Sequence, residues 1–308
     1  DIPANKNGTN SLSYPESAAP GSRTSKNLRA SAQMENKLSN IPIVNELCRM
    51  TDNMYRLGWD ERNGGNVSIL LYDGDILPYI SRNYVGRTDK RVFHLGYDAS
   101  PLAGRFILVT ATGHYFRNIS RTPESSLGVL RISDDGKSAE CVWGFNDGGA
   151  PTSELASHLM THIARLSADK EHTAVMHVHP TNIVAMTYVH TLDEKAFTRS
   201  LWKRHTECMM VFPEGVAVLP WMLFGCDSLG VATAQKMRDF RLVVWAHHGI
   251  LGTGRTLDDA FGLIECAEKA AEIYIKTASL PILNDITNEQ LRATARHFGV
   301  TPKDGWLE

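Results

Sequence analysis

The run Met176-His177-Val178-His179-Pro180 sets two imidazoles at i and i+2 in an apolar segment. In an extended strand such residues share one face, about 6.6 Å apart along it, and tilted rings can close that gap on one ion. A third histidine, His248, follows the strand-like run Leu242-Val243-Val244-Trp245 and precedes Gly249, where the chain is free to turn. Two neighbouring strands would then aim three rings at one point. Three neutral nitrogens around zinc leave a fourth position open, as catalytic rather than structural sites do. Taken with a carboxylate at Glu154, these residues make a metal enzyme the leading expectation, although the pair alone also reads as two ordinary histidines. In an extended segment His247 faces away from His248, so at most one of them is expected to be a ligand.

Three short segments suit an anion. Asn63-Gly64-Gly65-Asn66 could turn backbone N–H groups and amide donors toward one point, or could be a plain tight turn. Thr110-Ala111-Thr112-Gly113 ends a strand with hydroxyls and a glycine. Pro151-Thr152-Ser153-Glu154 opens a helix, where unpaired N–H groups attract negative charge. The plainer reading there is N-capping by Thr152 or Ser153, with Glu154 as a favourable first-turn charge.

The elements that must position these groups alternate. Ile43, Leu47, Met50, Met54 and Leu57 keep helical spacing, with Pro42 in the first turn and Gly58 as a stop. Strands are expected at Val67–Tyr72, Phe106–Thr110, Leu127–Ile132, Glu140–Gly144, Ala174–His179, Val216–Leu219 and Leu242–Ala246. A helix from near Ser153 to about Ala168 would turn Leu155, Leu159, Ile163 and Leu166 inward. Others are expected from Asp227 to Phe240 and after Thr256, a cap followed by Asp258 and Asp259, with Phe261, Ile264 and Ala267 facing the core. Thr287-Asn288-Glu289-Gln290 is a capping box for a last helix ending near Gly299. The expected fold is a single α/β domain, with a central, mostly antiparallel β-sheet covered by helices.

Composition narrows the function classes. The 308 residues carry 32 Lys+Arg against 34 Asp+Glu, with no basic block to suggest nucleic acid. Apolar runs fall far short of the ~18 residues that span a bilayer, so no membrane partner is expected. Five scattered cysteines without a Cys-x-x-Cys suggest free thiols and a cytoplasmic setting. Residues 1–33, rich in Ser, Asn, Pro and Gly, read as a tag or disordered linker ahead of a domain spanning 34–308.

Four segments together resemble the class II, zinc-dependent aldolase/epimerase family: Gly58-Trp59-Asp60-Glu61-Arg62-Asn63-Gly64-Gly65-Asn66, Pro151-Thr152-Ser153-Glu154-Leu155, Met176-His177-Val178-His179 and Trp245-Ala246-His247-His248-Gly249. Their shared order from about Met34 to the C-terminus carries the resemblance. Thr206-Glu207-Cys208 and Val211-Phe212-Pro213 resemble the branch that cleaves L-rhamnulose 1-phosphate to dihydroxyacetone phosphate and L-lactaldehyde. The resemblance implies one zinc ion per subunit on His177, His179 and His248, with Glu154 as catalytic acid/base. It implies a phosphate site at Asn63, Asn66, Thr112, Gly113, Thr152 and Ser153. It also implies a homotetramer in which Glu207 enters a neighbouring subunit's site. Two departures stand out: His114 replaces a familiar lysine, and His247 stands where an aromatic residue is familiar. Fuculose-phosphate aldolase and pentose-phosphate 4-epimerase activities are the nearest alternatives. A metal-dependent hydrolase and a non-catalytic protein that binds a metal or sugar phosphate are more distant ones.

Overall fold

The structure is a computed structural model that describes residues 40–79 and 91–308. The segment 1–33 read as a tag or linker lies outside the described residues. Leu38–Glu308 forms one compact unit. Among the described residues, nine strands make one sheet: β1 (Asn66–Leu71), β2 (Val92–His94), β3 (Phe106–Thr110), β4 (Leu127–Ile132), β5 (Ser138–Gly144), β6 (Ala174–Val178), β7 (Ala217–Leu219), β8 (Leu242–Trp245) and β9 (Gly249–Gly254). Their spatial order is β2-β5-β4-β3-β1-β6-β9-β8-β7. Every pairing is antiparallel except the parallel β7–β8 edge, so the expected sheet character holds.

The central strands are buried and mostly apolar because helices cover both faces of the sheet. In β1 and β6 every residue is buried, and alternate side chains serve different cores. Ile69, Leu71, Met176 and Val178 pack into one layer with helices Pro42–Arg56 and Leu257–Thr277. On the opposite face, Leu70 meets Leu155 and Leu159 of helix Leu155–Ala168, while Val175 joins Val243 and Leu251. By parity, Asn66, Ser68 and His177 belong to that second face, where helix Leu155–Ala168 lies.

Local signals account for several boundaries. Gly58 takes φ +74° just after the first helix and stops it. Leu57, expected on the apolar face, is half exposed because it caps that helix end, and Val44 is buried instead. Thr256 accepts from the Asp259 N–H, Phe261, Ile264 and Ala267 are buried, and the Thr287/Gln290 capping box forms. Helix Asp227–Lys236 ends one turn before Phe240. Strands β2 and β9 and helices Thr181–Val189, Glu194–Arg204 and Glu207–Val211 were not anticipated. β9, Gly-Ile-Leu-Gly-Thr-Gly, is glycine-rich because neighbours crowd it: a Cβ at Gly252 would sit 2.7 Å from Ile264. Among the described residues the five cysteines form no disulfide. No helix among them is long and apolar enough to cross a membrane.

Candidate active site

His177 is the fourth residue of β6 and His179 follows its last. Their rings lean together until the two Nε2 atoms are 3.1 Å apart. His248 completes a near-equilateral triangle, with ring centroids 4.8 Å and 4.9 Å from those of His177 and His179, which are themselves 4.9 Å apart. One nitrogen from each ring lies within 4.8 Å of the other two.

The route of His248 to this point differs from the expected one. β8 does not adjoin β6; β9 lies between them. His248 sits in the tight β8–β9 turn, immediately before β9, and is delivered by that turn. His247 in the same turn takes φ +64°, so the expectation of an extended segment fails there. Its backbone N–H donates to the Thr187 hydroxyl at 3.0 Å and its ring stacks against Tyr188, away from the triangle.

The ring tautomers follow from the partners. His177 Nδ1 lies 3.1 Å from the Ile250 carbonyl oxygen, which can only accept, so Nδ1 carries the proton. His179 Nδ1 lies 2.9 Å from a Glu61 carboxylate oxygen and is likewise the donor. With one proton per ring, both Nε2 atoms are bare and face each other. Such a contact is unfavourable between lone pairs but matches two ligands of one ion: tetrahedral zinc with bonds near 2.05 Å sets them roughly 3.3 Å apart. Burial holds the His177 ring far below its usual protonation range, helped by the neighbouring imidazoles, and burial pushes His248 down to about 4. Neutral imidazoles are the form a metal needs, so the donor set fits one.

Glu154 stands at the N-cap of helix Leu155–Ala168, which begins two residues after the start near Ser153 that its sequence suggested. It makes no capping bond; Thr152 Oγ1 instead accepts the Glu154 N–H at 3.3 Å. Glu154, 4% exposed, turns its side chain inward to put Oε2 at 3.7 Å from His177 Nε2. Asn66 Nδ2 donates to that oxygen at 2.8 Å. Asn66 reaches it because β1 and β6 pair in a register that sets Asn66 directly opposite His177. Burial raises the Glu154 carboxyl above its ordinary value, opposed by the Asn66 bond and the His179 ring. A carboxylate poised this way can both accept and return a proton.

One cleft of about 330 Å³ gathers Asn63, Asn66, Thr112, Gly113, Thr152 and Ser153 with Glu154 and the three histidines. The Asn66 amide is committed on both sides, to Glu154 and to His158. Glu207 is exposed at the start of helix Glu207–Val211, outside this cleft and beside His205 and Cys266. His114 pairs with Asp147 at 3.0 Å and with Ser126 at 3.0 Å instead of lining the cleft. Sequence reasoning passed over Glu61, which orients His179, and Phe224, whose ring packs 5.5 Å from that of His248. It also passed over the buried His158, although Glu154-x3-His158-x3-His162 repeats at helical spacing.

Residues 45–275 match the family model for the class II aldolase and adducin N-terminal domain. The chain is 51% identical over 269 residues to the rhamnulose-1-phosphate aldolase of Listeria welshimeri, covering 87% of this chain and 95% of that one. It is 49% identical over 268 residues to the same-named protein of Enterococcus faecalis, with the same two coverages, 87% and 95%. Among solved structures, a sugar-phosphate aldolase from Thermotoga maritima superposes with a TM-score of 0.66 at 28% identity, covering 78% of this chain and 97% of that one. An L-fuculose 1-phosphate aldolase shares the fold, with a TM-score of 0.55 at 19% identity, 86% of this chain and 99% of its own. The chain belongs to the class II aldolase family and, within it, to the rhamnulose-1-phosphate aldolases.

Proposed function

We propose that this protein cleaves L-rhamnulose 1-phosphate reversibly to dihydroxyacetone phosphate and L-lactaldehyde, with a metal ion, zinc by preference, at His177, His179 and His248. The observation that carries the reading is the convergence of three imidazoles beside a buried carboxylate. A zinc ion at this triad would supply a Lewis acid for the negative charge that develops on the ketose oxygens when the C3–C4 bond breaks.

The remaining work falls to the protein's own groups. Glu154 returns a proton to C3 after cleavage and removes it in the synthetic direction. Its raised proton affinity suits both steps better than that of an exposed glutamate. Asn63, Thr112, Gly113, Thr152 and Ser153 hold the substrate phosphate through hydroxyl, amide and backbone N–H donors, which fixes C3 beside the carboxylate. Asn66, assigned to the phosphate by resemblance, serves first as the donor to Glu154. Glu61 keeps the Nε2 of His179 turned inward, as the outer partners of metal-bound histidines commonly do. Glu207 would act from a neighbouring subunit, and its distance from its own cleft favours a homotetramer with sites between subunits. The 34–308 segment is the catalytic domain in this reading.

The test is a coupled assay for dihydroxyacetone phosphate on rhamnulose 1-phosphate and fuculose 1-phosphate, with formation of xylulose 5-phosphate followed on ribulose 5-phosphate, each before and after chelation. Cleavage of the first substrate, lost with the metal and restored by zinc, is expected. Cleavage of fuculose 1-phosphate alone would move the assignment to the neighbouring branch. Activity that survives complete metal removal would defeat the mechanism.

A further inference from the structure

Behind Glu154, on the far side of Asn66 from the cleft, three histidines are buried that hold no place in the chemistry above. His158 and His162 are 0% exposed and His172 is 2% exposed. They join one file of hydrogen bonds. Asn66 Oδ1 meets His158 Nε2; His158 Nδ1 meets Ser68 Oγ at 2.6 Å; Ser68 Oγ meets His162 Nε2 at 2.8 Å; His162 Nδ1 meets His172 Nε2 at 2.9 Å. Helical spacing puts His158 and His162 one and two turns below Glu154. Ser68 lies two residues after Asn66 on β1 and joins both rings.

We propose that His158, Ser68, His162 and His172 are positioning residues for Glu154: together they lock the Asn66 amide with its N–H on the carboxylate. The file has a single consistent polarity. A carboxylate only accepts, so Asn66 turns Nδ2 toward Glu154 and Oδ1 toward His158, which must donate from Nε2. Burial drives His158 and His172 down to about 3 and His162 well below its ordinary value, so each ring is neutral, with one donor and one acceptor. His158 Nδ1 is therefore bare and accepts from the Ser68 hydroxyl. Ser68 in turn accepts from His162 Nε2–H, and His162 Nδ1 accepts from His172 Nε2–H. Every donor points toward Glu154.

A flipped Asn66 amide would set Oδ1 against Glu154 Oε2 at the present 2.8 Å, acceptor against acceptor, and would reverse every tautomer behind it. The file thus resists rotation of one amide with four links. It orients and does not conduct, because the amide of Asn66 does not hand on its proton as an imidazole or hydroxyl does. A buried polar chain of this kind is stabilising only when every member is satisfied, which ties the tautomer of each ring to its neighbour.

The inference about catalysis rests on the proposed role of Glu154; the polarity of the file does not, and the two are tested separately. Neutron diffraction from perdeuterated crystals of the full chain should show deuterium on Nε2 of His158, His162 and His172, and none on Nδ1 of His158 or His162. Deuterium on Nδ1 of His158, or two deuterons on any of the three rings, would overturn the proposal. In kinetics, Ser68→Ala removes the middle link with little change of volume. We expect kcat to fall on the order of tenfold, with KM and bound metal unchanged. His158→Gln, which restores an N–H toward Asn66, should keep more of the parent kcat than His158→Leu. A Ser68→Ala enzyme within twofold of the parent kcat, or one that loses KM and metal in step with kcat, refutes a positioning role. If the parent cleaves no sugar phosphate while the neutron map shows the stated polarity, the functional reading fails and the file stands.

Discussion

Replacing Glu154 by glutamine separates proton transfer from every other property of the cleft. The amide is nearly isosteric, and its oxygen can still accept from Asn66 Nδ2, now 2.8 Å from Oε2. Glu154 is not among the three converging imidazoles, so bound zinc, measured by elemental analysis, should stay at the parent level. What disappears is the acid/base, a contribution of about 10²- to 10⁴-fold, or roughly 3–5 kcal/mol of barrier at 1.36 kcal/mol per decade. The expected outcome is a kcat lower by that factor with KM little changed, read by release of dihydroxyacetone phosphate. Stability gives a second, opposite sign. Burial raises the carboxyl's proton affinity in the fold, so its stabilising contribution is complete below the ordinary glutamate value and is lost as pH rises through the folded one. Glutamine carries no such cost, so the metal-free variant should melt no lower than metal-free parent at pH 7. A variant that keeps more than a tenth of parental turnover, or that sheds its zinc, would remove Glu154 from the proposed mechanism.

Three further outcomes follow from neighbouring geometry. Glu61→Gln leaves His179 Nδ1 without its charged acceptor at 2.9 Å, and metal affinity measured by competitive chelation should drop about 10- to 100-fold; unchanged affinity would mean that Glu61 does not orient the ligand. Gly249→Ala would set a Cβ 2.4 Å from the Val178 carbonyl oxygen and 2.8 Å from His179 Cδ2, so the β6–β9 seam must part and metal binding should be lost, whereas a fully loaded variant would show that the triad tolerates that shift. Asp60 is buried, its Oδ1 lacks a hydrogen-bond partner among the described residues, and burial lifts its carboxyl to about 7. Its contribution to stability is complete below the ordinary aspartate value near 3.8 and is lost as pH climbs to 7. The melting-temperature advantage of Asp60→Asn should therefore grow from pH 4 to pH 7 and then level off; a pH-independent difference would contradict this.

The sequence by itself determined the parts whose cause is local or periodic. Alternation and buried apolar runs marked seven of the strands, and Thr256, Gly58 and the Thr287/Gln290 box marked helix ends, because a cap or a pleat is satisfied within a few residues. His177, His179 and Glu154 were legible for a related reason: metal chemistry needs particular atoms, and few other side chains supply them. The tertiary structure decided how those atoms meet. Strand order inserts β9 between β6 and β8, so His248 arrives from a turn and not from a neighbouring strand. β9 itself escaped notice because its glycines are dictated by close packing and not by strand preference. Register sets Asn66 across from His177, and the inward face of helix Leu155–Ala168 turns His158 and His162 into partners of Ser68. Pairing register and the packing of a helix on a sheet are set by the whole core at once. A polar file running behind the Glu154 carboxylate therefore becomes visible only when the sheet is assembled.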